Sequence, residues 1–183
     1  MSLKVLRSGL YTTFQDLGRA NYYHLGIPFS GAMDSRNFLI TNKLLSNSSN
    51  DAVLEFAFQG PKLLINEQNI NCVVTGNVNF SIKKSSKVYK GECYKTFELN
   101  KGDEVDIIST INSVYGYFSV SGGFKLKKIW GSYSTHVKSE LGPNNGKRII
   151  QGDNLLMNKK FASNNQKKIN FLNNKIEFIR VIK

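Results

Sequence analysis

The sequence predicts a mainly β fold, a barrel or a sandwich, with one short helix near residues 35–45. Three observations carry this. Apolar and polar residues alternate over several short runs, turn residues separate those runs at close intervals, and one stretch alone changes to helical spacing. Crossover helices have no room between the runs, which argues against a doubly wound parallel sheet.

Each element has its own justification along the chain. The helix is expected from Asp34, a good N-cap residue, through Ser35 to Leu45. Phe38 and Leu45 lie seven apart there, Ile40 and Leu44 four apart, and Arg36 and Lys43 fall on another face. The polar run Ser46 to Asn50 ends it. Leu54, Phe56 and Phe58 then share one face of a strand ahead of Gly60-Pro61. Ile70, Cys72 and Val74 form a second strand before Gly76, and Val78, Phe80 and Ile82 a third. Val105 and Ile107 follow the Lys101-Gly102-Asp103 turn, and Val114, Gly116, Phe118 and Val120 run into Gly122-Gly123. The sequences at 99–107 and 150–157 both place Gly-Asp just before an apolar strand, a repeated turn type. Residues 1–157 therefore read as one β domain, 158–175 as a flexible linker poor in large apolar residues, and 176–183 as a strand opening a further unit or returning to the first.

Composition bounds the function. The 183 residues suit one main core, and the formal charge is +12. Half of that charge lies in residues 158–183, which hold seven basic side chains and one acid. Lys outnumbers Arg 20 to 5, so the residue that forks onto phosphate or guanine is scarce, and no nucleic-acid-binding motif accompanies the charge. No nucleic-acid partner is expected. No apolar run is long enough to span a bilayer, and Arg7 interrupts the N-terminus before a signal-peptide core forms, so a cytoplasmic location is expected and no membrane partner. Cys72 and Cys93 lack the spacing of a redox or zinc motif, and His24 and His136 lie in distant segments, so no metal site is expected.

Two stretches could carry chemistry. The first runs from Gly9 to Asp34 and gathers Gln15, Asp16, Arg19, His24, Ser30 and Asp34 among glycines at 9, 18, 26 and 31. Such a loop can present polar groups on a rigid sheet, with Asp16 pairing with Arg19 or orienting a proton acceptor. His24, Ser30 and Asp34 do not make a hydrolase triad, because the GxSxG elbow is missing and eleven residues leave too short a path. The second stretch is Gly131 to His136, whose hydroxyls and backbone amides suit an anion such as a carboxylate, with Arg148 as counter-charge. No phosphate-binding glycine motif is present.

Taken as a set, GLYTTFQDLGR, HLGIPFSGAMD, NKLLSN, AVLEFAFQGPKL, FSVSGG, GSYSTH and GKRIIQGDNL resemble the biotin-dependent carboxyltransferase family in order and spacing over about residues 3 to 157. That family includes KipA-like proteins, the C component of bacterial 5-oxoprolinase, and the carboxyltransferase region of urea carboxylase, formerly labelled allophanate hydrolase subunit 2. The resemblance covers the first half of such proteins. It implies a cyclophilin-like β-barrel, a partner resembling KipI or the B component of 5-oxoprolinase, and a small-molecule substrate such as 5-oxoproline or a related cyclic amide or urea. No cofactor is assigned to this chain itself, ATP or carboxybiotin being supplied elsewhere in the complex. By motif, Asp16, Asp34 and Arg19 are implied as catalytic and Gln15, Ser30, Ser134 and Thr135 as substrate-binding. Arg19 and backbone amides would steady oxyanion charge while Asp16 or Asp34 orients or accepts a proton. A regulatory protein that binds a kinase inhibitor without turnover, or an inactive fragment, is the alternative. The segment Leu141-Gly142-Pro143-Asn144 departs from the family's Gly-Gly pattern after the Ser-Thr cluster.

Overall fold

A computed structural model describes residues 1–67, 69–158 and 166–169. Their elements in chain order are β1 (Ser2–Arg7), β2 (Thr13–Gln15), α1 (Ser35–Leu45), β3 (Val53–Ala57), β4 (Lys62–Ile65), β5 (Ile70–Thr75), β6 (Val78–Lys84), β7 (Lys87–Lys90), β8 (Phe97–Leu99), β9 (Glu104–Thr110), β10 (Tyr115–Val120) and β11 (Asn154–Leu156). The strands form two antiparallel sheets, one in the order β11-β1-β4-β9-β6-β7 and the other β2-β3-β10-β5-β8.

Alternation explains how the sheets meet. Leu3 and Val5, Leu63 and Ile65, Phe80 and Ile82, and Val105 and Ile107 point inward from the first sheet. Leu54 and Phe56, Cys72 and Val74, and Phe118 and Val120 point inward from the second, so one core fills the space between. Among the described residues no ladder joins the two sheets, so closure into a barrel is not part of the observed pairing. At the edge where β2 and β11 come together, the connection after β10 supplies Phe124 and Ile149 to the core, with the Phe124 ring 5.2 Å from Phe14. That connection closes the edge with side chains and with isolated backbone bonds, Lys125 N–H to the Leu156 carbonyl and Thr135 N–H to the Phe14 carbonyl, each at 2.9 Å.

The second sheet is buried on its outer face as well, because α1 covers it. Phe38 packs on Val53 and Tyr117, while Leu44 and Leu45 pack on Val73. Asp34 caps the helix, its Oδ1 accepting from the Asn37 amide at 3.0 Å, and Ser46 ends it in the left-handed region. The expected helix boundaries therefore hold. One expectation at a strand end does not. Alternation predicts Phe58 on the face of Leu54 and Phe56, but β3 stops at Ala57 and Phe58 turns out with φ at +57°, 54% exposed.

Of the stretch read as a linker, residues 166–169 are described: Lys167 and Ile169 exchange backbone bonds with Thr96 and Tyr94. The rest of it, and the expected strand at 176–183, fall outside the described residues apart from Asn158. Among the described residues no helix is long and apolar enough to cross a membrane.

Candidate functional site

β2 is an edge strand of the second sheet, and its alternation decides which side chains reach the site. Phe14 enters the core while Thr13 and Gln15 face the side that the 16–34 loop covers. The segment 132–135 runs alongside, the Thr135 amide donating to the Phe14 carbonyl at 2.9 Å. These two stretches, far apart in the sequence, are stitched together by one carboxyl group.

That group belongs to Asp16, which is fully buried. Its Oδ1 accepts from the Ser132 and Ser134 hydroxyls, each at 2.6 Å, and from the Gly18 amide at 2.8 Å. Its Oδ2 accepts from the Tyr133 amide at 2.7 Å. The anion predicted for the Ser-Thr segment is thus the chain's own Asp16 side chain. Arg148, expected as the counter-charge, instead lies over the Tyr11 ring at 5.7 Å and is exposed. The buried cation at this segment is Arg19. Its guanidinium donates to the Ser30 hydroxyl at 3.0 Å and to the Ser134 carbonyl, leaving Nε without a partner. Burial lowers the Arg19 pKa, and the nearby Asp16 charge opposes that shift. The two charges grip Ser134 from different sides, and no direct ion pair joins them among the described residues.

Two glycines make this packing possible. Gly18 has φ at +91°, and a Cβ there would stand 2.6 Å from the Phe29 ring; Gly31 has φ at +96° against the Leu17 backbone. The two strands of the loop therefore run backbone to backbone, with Arg19 N–H on the Phe29 carbonyl and Ala32 N–H on the Asp16 carbonyl, each at 2.9 Å. Gln15 donates from Nε2 to Thr13 Oγ1 at 2.9 Å and to the Thr135 carbonyl at 3.0 Å. Gln15 Oε1 and Thr135 Oγ1 are buried without a partner.

Asp34 belongs to a neighbouring cluster that sequence reasoning missed. The register places Thr13, Glu55, Tyr117 and Thr75 in one row across β2, β3, β10 and β5. All four are buried beneath the loop and α1. Glu55 Oε2 accepts from the Tyr117 hydroxyl at 2.8 Å and from the Met33 amide at 2.7 Å, and the Asp34 amide donates to the same hydroxyl at 2.7 Å. Burial raises the Glu55 pKa, the Met33 and Tyr117 hydrogen bonds oppose it, and the Asp34 charge adds to it. Burial and the adjacent Glu55 push the Tyr117 hydroxyl well above the ordinary tyrosine range. The signal was present in Val53-Leu54-Glu55-Phe56-Ala57, where apolar residues flank the acid on both faces and leave it no solvent side.

Six of the seven sequence-selected residues, Gln15, Asp16, Arg19, Ser30, Ser134 and Thr135, thus form one hydrogen-bonded unit, with Asp34 joined to it through the loop. Ser30 and Asp34 keep partial exposure, whereas the other five are buried. Chemically, the unit is a support: the fully bonded Asp16 carboxylate and the buried Arg19 below hold a loop whose outer surface carries Tyr23 stacked on Phe29 and Tyr22 against Trp130.

Known proteins share this fold. Residues 25–182 match the family model for the carboxyltransferase domain, subdomain A and B. A urea amidolyase of Lachancea kluyveri is 30% identical over 158 residues, which cover 86% of this chain and 8% of that protein. The C component of 5-oxoprolinase from Haemophilus influenzae is 31% identical over 143 residues, 78% of this chain and 45% of that one. The crystal structure of the urea amidolyase of K. lactis superposes with a TM-score of 0.81 at 30% identity, covering 86% of this chain and 9% of that one. The chain spans less than half the length of these relatives. With most of its length matched by the family model, the chain belongs to the carboxyltransferase domain family, subdomains A and B.

Proposed function

We propose that this chain is a component of a 5-oxoprolinase-type or carboxyltransferase-type assembly acting on 5-oxoproline or a related cyclic amide or urea. The supporting observation is that the chain is 31% identical to a 5-oxoprolinase component over 143 residues and 30% identical to a urea amidolyase over 158. A partner resembling KipI or the B component of 5-oxoprolinase completes the working site in this reading, which sets the assembly in the cytoplasm and gives this chain the role of a first half. The cyclophilin-like barrel belongs to the same proposal. Its support is the single core shared by both sheets, and an experimental structure with ladder bonds between β2 and β11 would establish it.

The roles follow from exposure. Asp16 and Arg19 position Ser134 and the loop, while Ser30 and Asp34, the partly exposed pair, face the substrate, with Asp34 orienting or accepting a proton. Gln15 and Thr135 bring their unpartnered oxygens to the same unit. These residues do not fit ATP or carboxybiotin, because the hydroxyls and amides suited to an anion are already bonded to Asp16. Both groups are therefore assigned to the rest of the assembly.

The test is ATP- and 5-oxoproline-dependent glutamate release, with a parallel urea-dependent assay, by the chain mixed with its partner proteins. Release that requires this chain is expected. A complex that assembles yet releases nothing with either substrate would overturn the enzymatic reading in favour of a regulatory binding protein, a reading favoured by the saturation of Asp16.

A further inference from the structure

At the edge opposite the Asp16 unit, the sheets part between β7 and β8, leaving a cleft of about 660 Å³. This volume lies within the range of small-molecule sites. Ile82, Phe97 and Tyr89 give it an apolar lining. Lys84, Lys90 and Glu98 add charge.

Lys84 is unusual among these. In β6 the inward positions are Val78, Phe80, Ile82 and then Lys84, so the strand's alternation aims this lysine between the sheets rather than at solvent. It is half-buried. Its charge is felt in the core: burial pushes the Cys72 thiol up, and Lys84 opposes the shift. Of the neighbouring acids, Glu104 is taken by Lys62 and Lys83 at 2.8 and 3.0 Å and Glu92 by Lys95 and Lys168, while Glu98, in the lining, forms no ion pair among the described residues. Among the described residues Lys84 and Lys90 form no ion pair. A half-buried cation over an apolar floor favours an anion that brings its own apolar body, since such a ligand neutralises the charge and covers the floor together.

We propose that this cleft binds a small organic carboxylate with an aromatic or aliphatic body, its anionic end on Lys84 and its body against Ile82, Tyr89 and Phe97. The site is independent of the Asp16 unit and of any turnover there.

The probes are 3-phenylpropanoate and its neutral amide, titrated into the full chain by calorimetry and by two-dimensional NMR in low salt. The acid should bind with a Kd of about 1 mM or tighter. The amide should bind at least about fivefold more weakly, and Lys84→Met should remove that preference. NMR shifts should centre on β6 and β8. Equal binding of acid and amide, shifts centred elsewhere, or no saturation by about 20 mM acid would overturn the proposal. Should Lys84→Met fail to fold, Tyr89→Ser, a change at an exposed position, should weaken both probes about equally; unchanged binding would count against the site.

Discussion

Replacing Asp16 by Asn tests whether one carboxyl group clasps the two loops. The asparagine oxygen can keep the bonds made at Oδ1, but its NH₂ then meets the Tyr133 amide, donor against donor. A charge-assisted bond worth about 1.5–3 kcal/mol is lost and a part-buried amide is left unpaired at about 1 kcal/mol, the low end for such a group, for a total near 3 kcal/mol. Arg19 also loses the charge that offsets its burial. For a chain of 183 residues that loss lowers Tm by about 6–12 °C. Trp130, the single tryptophan, stands two residues from Ser132 and 5.4 Å from the Tyr22 ring, so its fluorescence reports on the clasp during urea unfolding. Asp16→Ala combined with Ser132→Ala should cost less than the two changes summed, because both remove the bond from the Ser132 hydroxyl to the carboxyl group. A loss below about 1 kcal/mol, or strict additivity, would refute the clasp.

Three further outcomes are expected. Tyr117→Phe removes the hydroxyl bridging Glu55 and the Asp34 amide and should cost about 2 kcal/mol by chemical denaturation, against under 0.5 kcal/mol for a bond of no consequence. Because Glu55 has a raised folded pKa, the folded state holds its proton more tightly; that contribution is fully present below the ordinary glutamate value of 4.5 and is lost as pH rises through the folded pKa. Urea midpoints for wild type minus Glu55→Gln should therefore fall with increasing pH above that value, and a flat difference would contradict the burial argument. Asp34→Asn keeps a good N-cap and should leave stability within about 0.5 kcal/mol. In the complete assembly it should lower turnover at least about tenfold, and turnover within a factor of two of wild type would end the proton role of Asp34.

The legible parts of the fold are those where a single local rule dominates. Phe80 and Ile82, or Phe118 and Val120, announce their inward face by alternation, and Asp34 with Phe38 and Leu45 announces the helix. The short strands are harder. β2, β7 and β8 have three or four residues each, too few for a period to stand out, and β7 is exposed along its whole length. Membership of the site is legible from its motifs, but its wiring is not. Nothing local tells Asp16 that its partners lie 116 to 118 positions away, or moves Arg148 aside in favour of Arg19. Glu55 is betrayed only by Val53 and Ala57 on its own face, an apolar pair that implies a second buried side without showing that α1 supplies it.

The polar row beneath α1 also bears on how the chain avoids misfolding. Sliding β3 by one position would swing Glu55 into the hydrophobic interior and carry Leu54 and Phe56 outward, stranding a carboxyl group among hydrocarbon. Only the alignment in which Thr13, Glu55 and Tyr117 lie abreast gives that acid its partner. The residue thus acts as a proofreader of strand pairing, and substituting an aliphatic there should yield a protein that folds less faithfully even where it folds more tightly.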